Sequence, residues 1–300
     1  MAASSITWIE ERDVATIVRS RSVKDERGVL EVWTLNGNEF EVYHHIQIPS
    51  SPLCTAWLGT GSIVAVGSQD PSILIWDIDD INDTIEPFYV MDTSDGHTDS
   101  VLALAWNQEC SSIFASASAD KLVKIWDMVT GKCVTTLDHH LDKVQAVAWG
   151  DHAPYLLVSG SSDRTIVVKD MRAPLCTVSQ FSVEANVESL ICHPHSLVVG
   201  LENGMVEGYR AQPLFSIPAH DESVTTVSYN PCRRNILATG SLDGMVKLWD
   251  LSNNQPTCVA SKNFGVGSIY SISFSEKDRF MLAIGGKTGK LQIWDTSKNP

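Results

Sequence analysis

Three sets of side chains in this 300-residue chain have the types and spacing for proton-relay chemistry. His97, Ser116, Asp120 and Trp126 are separated by 19, 4 and 6 residues, and so are His220, Thr239, Asp243 and Trp249. His140, Ser159 and Asp163 repeat the first two offsets, with Lys169 in the last place. A histidine held between a carboxylate and a hydroxyl is the arrangement that activates a hydrolase nucleophile, the carboxylate fixing the imidazole tautomer. The same parts form a structural network when buried, provided each donor meets an acceptor. An enzyme needs one site, so three copies at the same offsets favour a scaffold. A hydrolase built on one set is the alternative, decided by whether Ser116, Ser159 and Thr239 are accessible.

Offsets that recur require repeated elements to carry them. The nine tryptophans fall in two recurring slots. Trp33, Trp76, Trp126, Trp249 and Trp294 close segments such as LEVW, ILIW and VKLW, while Trp8, Trp57, Trp106 and Trp149 end a second apolar run about 20 residues earlier. Lys169 and Tyr209 stand in the first slot where tryptophan is missing, giving positions 33, 76, 126, 169, 209, 249 and 294. The steps between them are 43, 50, 43, 40, 40 and 45 residues. A period of ~40–45 residues made of four short strands is the signature of WD40 propeller blades.

The third unit reads as VLALAW (101–106), IFASA (113–117), LVKIWD (122–127) and CVTTL (133–137), with turn residues between. Nearly continuous apolar runs fit inner strands covered on both faces by neighbouring blades. The first unit reads as Ile6–Ile9, Val14–Val18, Val29–Leu35 and Phe40–Ile46. The seventh reads as Ile269–Phe274, Phe280–Gly285 and Leu291–Asp295. The expected fold is all-β: one seven-bladed propeller over residues 1–300, with blades near 1–48, 49–92, 93–138, 139–182, 183–218, 219–262 and 263–300. Counting gives 27 strands instead of 28, so the last blade is three-stranded or takes its outer strand from elsewhere. An open edge there would invite pairing.

Composition narrows the function. The net charge of −14 argues against broad nucleic-acid binding, which needs Lys and Arg to displace counterions, and suits basic partner proteins. No apolar run reaches the ~18 residues that span a bilayer. The start, MAASSITWIEERD, lacks the basic and apolar regions of a signal peptide, so an intracellular, non-secreted protein is expected. Seven cysteines (54, 110, 133, 176, 192, 232, 258) without a CxxC pair read as reduced thiols. Cys192-His193-Pro194-His195 bunches too many ligands in four residues for a tetrahedral metal site, so a turn is expected, with no metal or cofactor. Gly265-Val266-Gly267 lacks the lysine and helix of a phosphate loop. His139 reads as a loop neighbour of His140.

LEVWTLN…EFEVYHH, ILIWDIDDINDTIEP, GHTDSVLALAWN, SASADKLVKIWDMVTGK and HLDKVQAVAW resemble, in this order, the periodic tryptophan protein 1 family of WD40 proteins. The resemblance implies a scaffold in nucleolar ribosome biogenesis, chiefly large-subunit assembly and pre-rRNA processing, with association to chromatin. It implies a nuclear and nucleolar location. Partners would be basic proteins, namely ribosomal proteins, assembly factors or histones, with RNA contact only local, no membrane and no small-molecule substrate. Family members carry a long acidic segment in the N-terminal region; here only ~20 residues separate Trp8 from LEVW, without an acidic tract.

Side chains beside the histidine and aspartate turns are candidate partner contacts, chiefly Lys121, Lys143 and Arg164. Lys169-Asp170-Met171-Arg172 resembles, without its tryptophan, the WDxR element of substrate receptors for cullin-type ubiquitin ligases. Arg172 is therefore a further candidate contact, and such a receptor is the alternative binding module.

Overall fold

Short runs of β-branched and aromatic residues, punctuated by serine, aspartate and glycine, form antiparallel strands along the whole chain. The computed structural model describes residues 3–9, 16–22, 27–36, 39–58, 61–79, 86–91, 94–151, 153–173, 177–193, 196–253, 255–275 and 278–298, and these hold 27 strands and no helix. The first sheet contains β1 (Ala3–Ile9), β2 (Thr16–Ser22), β3 (Gly28–Asn36) and β4 (Glu39–Ile48); the second, β5 (Pro52–Trp57), β6 (Ile63–Ser68), β7 (Ile73–Asp77) and β8 (Tyr89–Met91). The third contains β9 (Val101–Trp106), β10 (Ile113–Ser118), β11 (Val123–Asp127) and β12 (Lys132–Leu137). The fourth contains β13 (Val144–Gly150), β14 (Ala153–Ser161), β15 (Thr165–Asp170) and β16 (Thr177–Ser182). The fifth contains β17 (Val187–His193), β18 (Ser196–Leu201), β19 (Met205–Tyr209) and β20 (Pro213–Pro218). The sixth contains β21 (Thr226–Tyr229), β22 (Ile236–Gly240), β23 (Met245–Asp250) and β24 (Thr257–Asn263); the seventh, β25 (Ile269–Phe274), β26 (Met281–Gly286) and β27 (Leu291–Asp295).

Each sheet is an antiparallel meander. The inner strands β1, β5, β9, β13, β17, β21 and β25 lie each against the next, and β25 lies against β1. The result is a seven-bladed β-propeller around a central channel. Antiparallel order puts the hairpin between second and third strands at the same end of a blade as the connection entering the inner strand. That end forms one face of the disc, which carries the histidines and aspartates. First-to-second and third-to-fourth turns form the opposite face.

Burial follows position. The second strands β6, β10, β18 and β26 are buried along almost their whole length, because neighbouring blades cover both sides. The inner strand VLALAW is half-buried from its second residue on, because it faces the channel. Outer strands such as β12 and β16 alternate between exposed and half-buried side chains. The core lies between blades: Ala65 and Ile75 of the second pack with Val101, Phe114 and Trp126 of the third. Phe114 and Trp126 stack at 6.2 Å and are fully buried, each contributing about 1.5–3 kcal/mol by area removed from water.

The ring joins first and seventh blades through the contacts used elsewhere. Trp8 Nε1 donates to the Ser273 carbonyl at 2.9 Å, as Trp149 Nε1 donates to the Ala105 carbonyl at 3.1 Å between the fourth and third blades. Ile6 N donates to Ser271 Oγ at 3.0 Å. β27 has no fourth strand beside it among the described residues; Phe264 lies against the buried Trp294 at 5.3 Å. The second strand of the first blade runs over Thr16–Ser22 where the residue pattern points to 14–18; positions 14 and 15 lie outside the described residues. The strand continues past Val18, with Arg19 and Arg21 both binding Glu31 on β3.

Candidate functional site

The local sequence places each histidine in the turn entering an inner strand and each aspartate in the hairpin after a second strand. In the third blade this brings four residues together. His97 Nδ1 lies 2.8 Å from Asp120 Oδ2, His97 Nε2 lies 2.6 Å from Ser116 Oγ, and Trp126 Nε1 donates to Ser116 Oγ at 2.8 Å. The indole can only donate, so Ser116 Oγ accepts from it; in the tautomer whose Nδ1–H donates to the Asp120 carboxylate, the Ser116 hydroxyl donates to His97 Nε2. Asp120 also accepts from the backbone N–H groups of Thr98 and Leu122, both at 3.0 Å, so one carboxylate ties the entering turn to the hairpin. Burial pushes the Asp120 carboxyl up, but the hydrogen bond and charge of His97 with these two N–H groups outweigh it and hold the group at about 2.

The sixth blade repeats the arrangement. His220 Nδ1 is 2.9 Å from Asp243 Oδ2, Nε2 is 2.7 Å from Thr239 Oγ1, and Trp249 Nε1 donates to Thr239 at 2.9 Å. In the fourth blade, His140 Nδ1 is 3.0 Å from Asp163 Oδ2 and Nε2 is 2.8 Å from Ser159 Oγ. Lys169 fills the tryptophan slot, buried, opposite Leu157 as Trp126 is opposite Phe114. The missing indole donor is supplied by His139, whose Nε2 lies 2.9 Å from Ser159 Oγ. His139 is therefore a member of the network and not a loop neighbour; only the fold reveals it, because the residue lies one place before the repeated offset. Burial, then the charges of His140 and Lys169, lower its imidazole to about 4. Burial also lowers His140 and His220, against the pull of their aspartates.

The first blade fills the same register positions differently. Arg19 stands where the third blade has Ser116, and Glu31 where it has Lys124. Glu31 accepts from Arg19, from Arg21 Nε at 2.7 Å and from Trp33 Nε1 at 3.0 Å. Burial raises the Glu31 carboxyl, but its two arginines together hold it below the usual carboxylate range. Arg19 Nη1 donates to the Gly289 carbonyl of the seventh blade at 2.8 Å. In the fifth blade, Tyr209 Oη likewise turns to Glu207, two residues back on its own strand. In the second and seventh blades, Val66 and Ile284 occupy the hydroxyl position, and Trp76 Nε1 and Trp294 Nε1 have no partner among the described residues.

Access decides what the sets can do chemically. Ser116, Ser159 and Thr239 are 0%, 2% and 0% exposed, so a substrate carbonyl cannot reach these hydroxyls. Among the described residues no three His, Cys, Asp or Glu side chains converge on a metal position. Of the Cys192–His195 cluster, Cys192 and His193 end β17, and His193 stacks on Tyr229 at 4.2 Å; His195 lies outside the described residues.

The candidate contacts divide between faces. Lys121, Lys143 and Arg164 are exposed on the face that carries the networks. Lys121 and Arg164 hold the left-handed hairpin position, with φ of 74° and 63°. Arg172 lies at a third-strand end, on the opposite face. Its guanidinium is bidentate to Asp170, 2.6 Å at the shortest, and lies 3.7 Å from the centre of the Tyr155 ring.

Residues 34–77, 89–127, 131–170 and 211–250 match the WD domain, G-beta repeat, covering just over half of the chain. The chain belongs to the WD40 repeat family. It is similar to a periodic tryptophan protein 1 homolog of Drosophila melanogaster, at 29% identity over 82% of this chain and 60% of the relative. An uncharacterized WD repeat-containing protein of Schizosaccharomyces pombe is 40% identical over 85% of this chain and 56% of its own length. Periodic tryptophan protein 1 of Saccharomyces cerevisiae is 26% identical over 76% of this chain and 48% of its own. This WD40 propeller thus spans between about half and three-fifths of the curated relatives it matches.

Proposed function

We propose that the propeller is a non-catalytic docking platform, a single rigid disc acting in nucleolar assembly of the large ribosomal subunit. The observation that carries the platform reading is the repeated pin. Three His–Asp pairs, each with its hydroxyl buried, fix turns on one face and leave the neighbouring side chains exposed. The face is rich in acid: Asp99, Asp142, Glu184, Glu202, Asp221 and Glu222 are exposed beside Lys121, Lys143, Arg164 and Lys287. It suits basic partners, such as ribosomal proteins, assembly factors or histones, by charge complementarity and steering. Lys121, Lys143 and Arg164 would then set orientation. The ribosomal part of the reading is supported by similarity to periodic tryptophan protein 1.

Affinity purification of the tagged chain, followed by sedimentation against pre-ribosomal particles, tests both parts. Co-sedimentation with large-subunit precursors is expected. A chain found only with cullin adaptors, or only free, would overturn the ribosomal reading, and a chain that captures no protein at all would overturn the platform itself. The ligase alternative gains no support from Arg172, whose guanidinium is already engaged by Asp170 and Tyr155.

A further inference from the structure

The face opposite the networks is charged unevenly. Over the second and third blades it presents Asp77, Asp79, Glu86, Glu109 and Asp127. Over the sixth and seventh it presents Arg233, Arg234 and Arg279, all exposed, with no carboxylate within ion-pair distance among the described residues. The nearby carboxylates are occupied locally: Asp250 accepts from Asn235 and Ser252, Asp278 caps Phe280 N, and Asp295 binds Lys298. In a chain of net charge −14, three uncommitted guanidinium groups on adjacent turns are a feature to be explained.

These arginines sit on built turns. Asn230 Oδ1 accepts from the N–H groups of Cys232 and Arg233, at 3.0 and 2.8 Å, while its Nδ2 donates to the Arg279 carbonyl at 2.5 Å. One asparagine thereby fixes the turn of the sixth blade against that of the seventh. Phe280 lies between Arg233 and Arg279, with guanidinium carbons 5.6 and 4.7 Å from its ring centre. Preorganised arginine forks lose less freedom on gripping a carboxylate, which they match bidentately.

Arg234 also borders a cavity of about 440 Å³ between the fifth and sixth blades, walled by Leu214, Phe215, Leu251 and Tyr229. The 230–235 turn of the sixth blade lines it through Arg234 and Asn235.

We infer that this sector binds a short acidic segment of a partner protein, with aspartate or glutamate side chains on Arg233, Arg234 and Arg279 and one apolar side chain in the cavity between the fifth and sixth blades. Charge and shape select this occupant. A long polyanion such as RNA would have to cross the acidic sector over the second and third blades, and it has no aliphatic side chain for the Leu214–Leu251 walls. A short segment meets only the basic sector. The inference rests on the platform reading and gives that platform a second, oppositely charged docking surface.

Fluorescence anisotropy tests it, using the purified chain and a short fluorescein-labelled peptide of aspartate and glutamate around a central leucine. Saturable, salt-sensitive binding is expected, weakened at least about tenfold in Arg233→Glu/Arg234→Glu and weakened again when glycine replaces the leucine. Lys287→Glu, on the other face, should leave it unchanged. Absence of binding, equal loss with Lys287→Glu, or tighter binding of an oligouridine RNA through the same arginines would overturn the inference. Those outcomes leave the purification of partners by wild type untouched, so this inference and the platform reading fail separately.

Discussion

The first and third blades use the same strand positions to opposite ends. In the third, Ser116 sits between an imidazole and an indole, and the bonds stay inside the blade, joining one turn to one hairpin. In the first, Arg19 takes the position of Ser116, Glu31 that of Lys124, and the bonds reach the Gly289 carbonyl of the next blade. The His–Asp network shapes a face; the Arg–Glu network joins the two ends of the ring. The difference teaches that the space between second and third strands accepts unlike occupants: a hydroxyl linked within its blade, a guanidinium linked to the adjoining blade, or the apolar Val66 and Ile284. The fourth blade lies between these cases, keeping the histidine and aspartate but replacing the indole with a second imidazole.

That comparison makes graded predictions. The largest effect belongs to the charged slot. Glu31→Ala strands a buried guanidinium and an indole N–H, so it should cost ~3–5 kcal/mol in chemical denaturation. A cost equal to that of a surface substitution would break the contrast. Next comes the His–Asp network: Asp120→Ala leaves His97 Nδ1 and two backbone N–H groups unmet and should cost ~1–3 kcal/mol. Stability equal to wild type would remove the pin from the account.

The third prediction concerns pH. His139 titrates at about 4 in the fold, against ~6.5 in the unfolded chain. Between these values the unfolded state binds the extra proton, so stability falls as pH drops from about 6.5 to about 4. His139→Gln, which keeps a donor for Ser159, should make that decline shallower without abolishing it, because His140 and His220 are also lowered. Asp120 acts in a lower window. Its carboxyl is held at about 2 in the fold, so its contribution is intact above ~3.9 and is lost as pH falls towards 2. Thermal melts from pH 7 to 2.5 separate the windows, and a slope unaffected by His139→Gln would show that His139 binds its proton equally in the folded and the unfolded chain. The smallest effect is Arg172→Ala. Its ion pair with Asp170 is exposed, so the denaturation midpoint should not move measurably.

Repetition decided what could be read in the residues alone. Trp126 and Trp249 recur at one offset from Asp120 and Asp243, and a recurring offset between turns reports a shared geometry. The strand count was legible for the same reason, since each turn returns within ~40–45 residues. What escaped notice depends on register and burial. His139 joins the network because the fourth blade lacks an indole to fill the space over Ser159. Arg19 and Arg21 look like solvated residues in a linear pattern, yet in the sheet both meet Glu31. The arginines of the sixth and seventh blades are far from Arg210 and His193 in the chain, and only the ring brings their turns to one sector.

Trp76 and Trp294, the two buried indoles without a partner, lie in the second and seventh blades, on either side of the first. These three blades also lack a His–Asp pin among the described residues, and the seventh has one strand fewer. A closed ring under load parts at its most compliant joint, whatever the strength of the others. Here the fifth blade, among the described residues, also lacks a pin, and the β25–β1 joint is itself crossed by bonds from Trp8, Ile6 and Arg19. The pins therefore brace turns within single blades, while the strength of the ring at its closing joint is set by these side-chain bonds between blades.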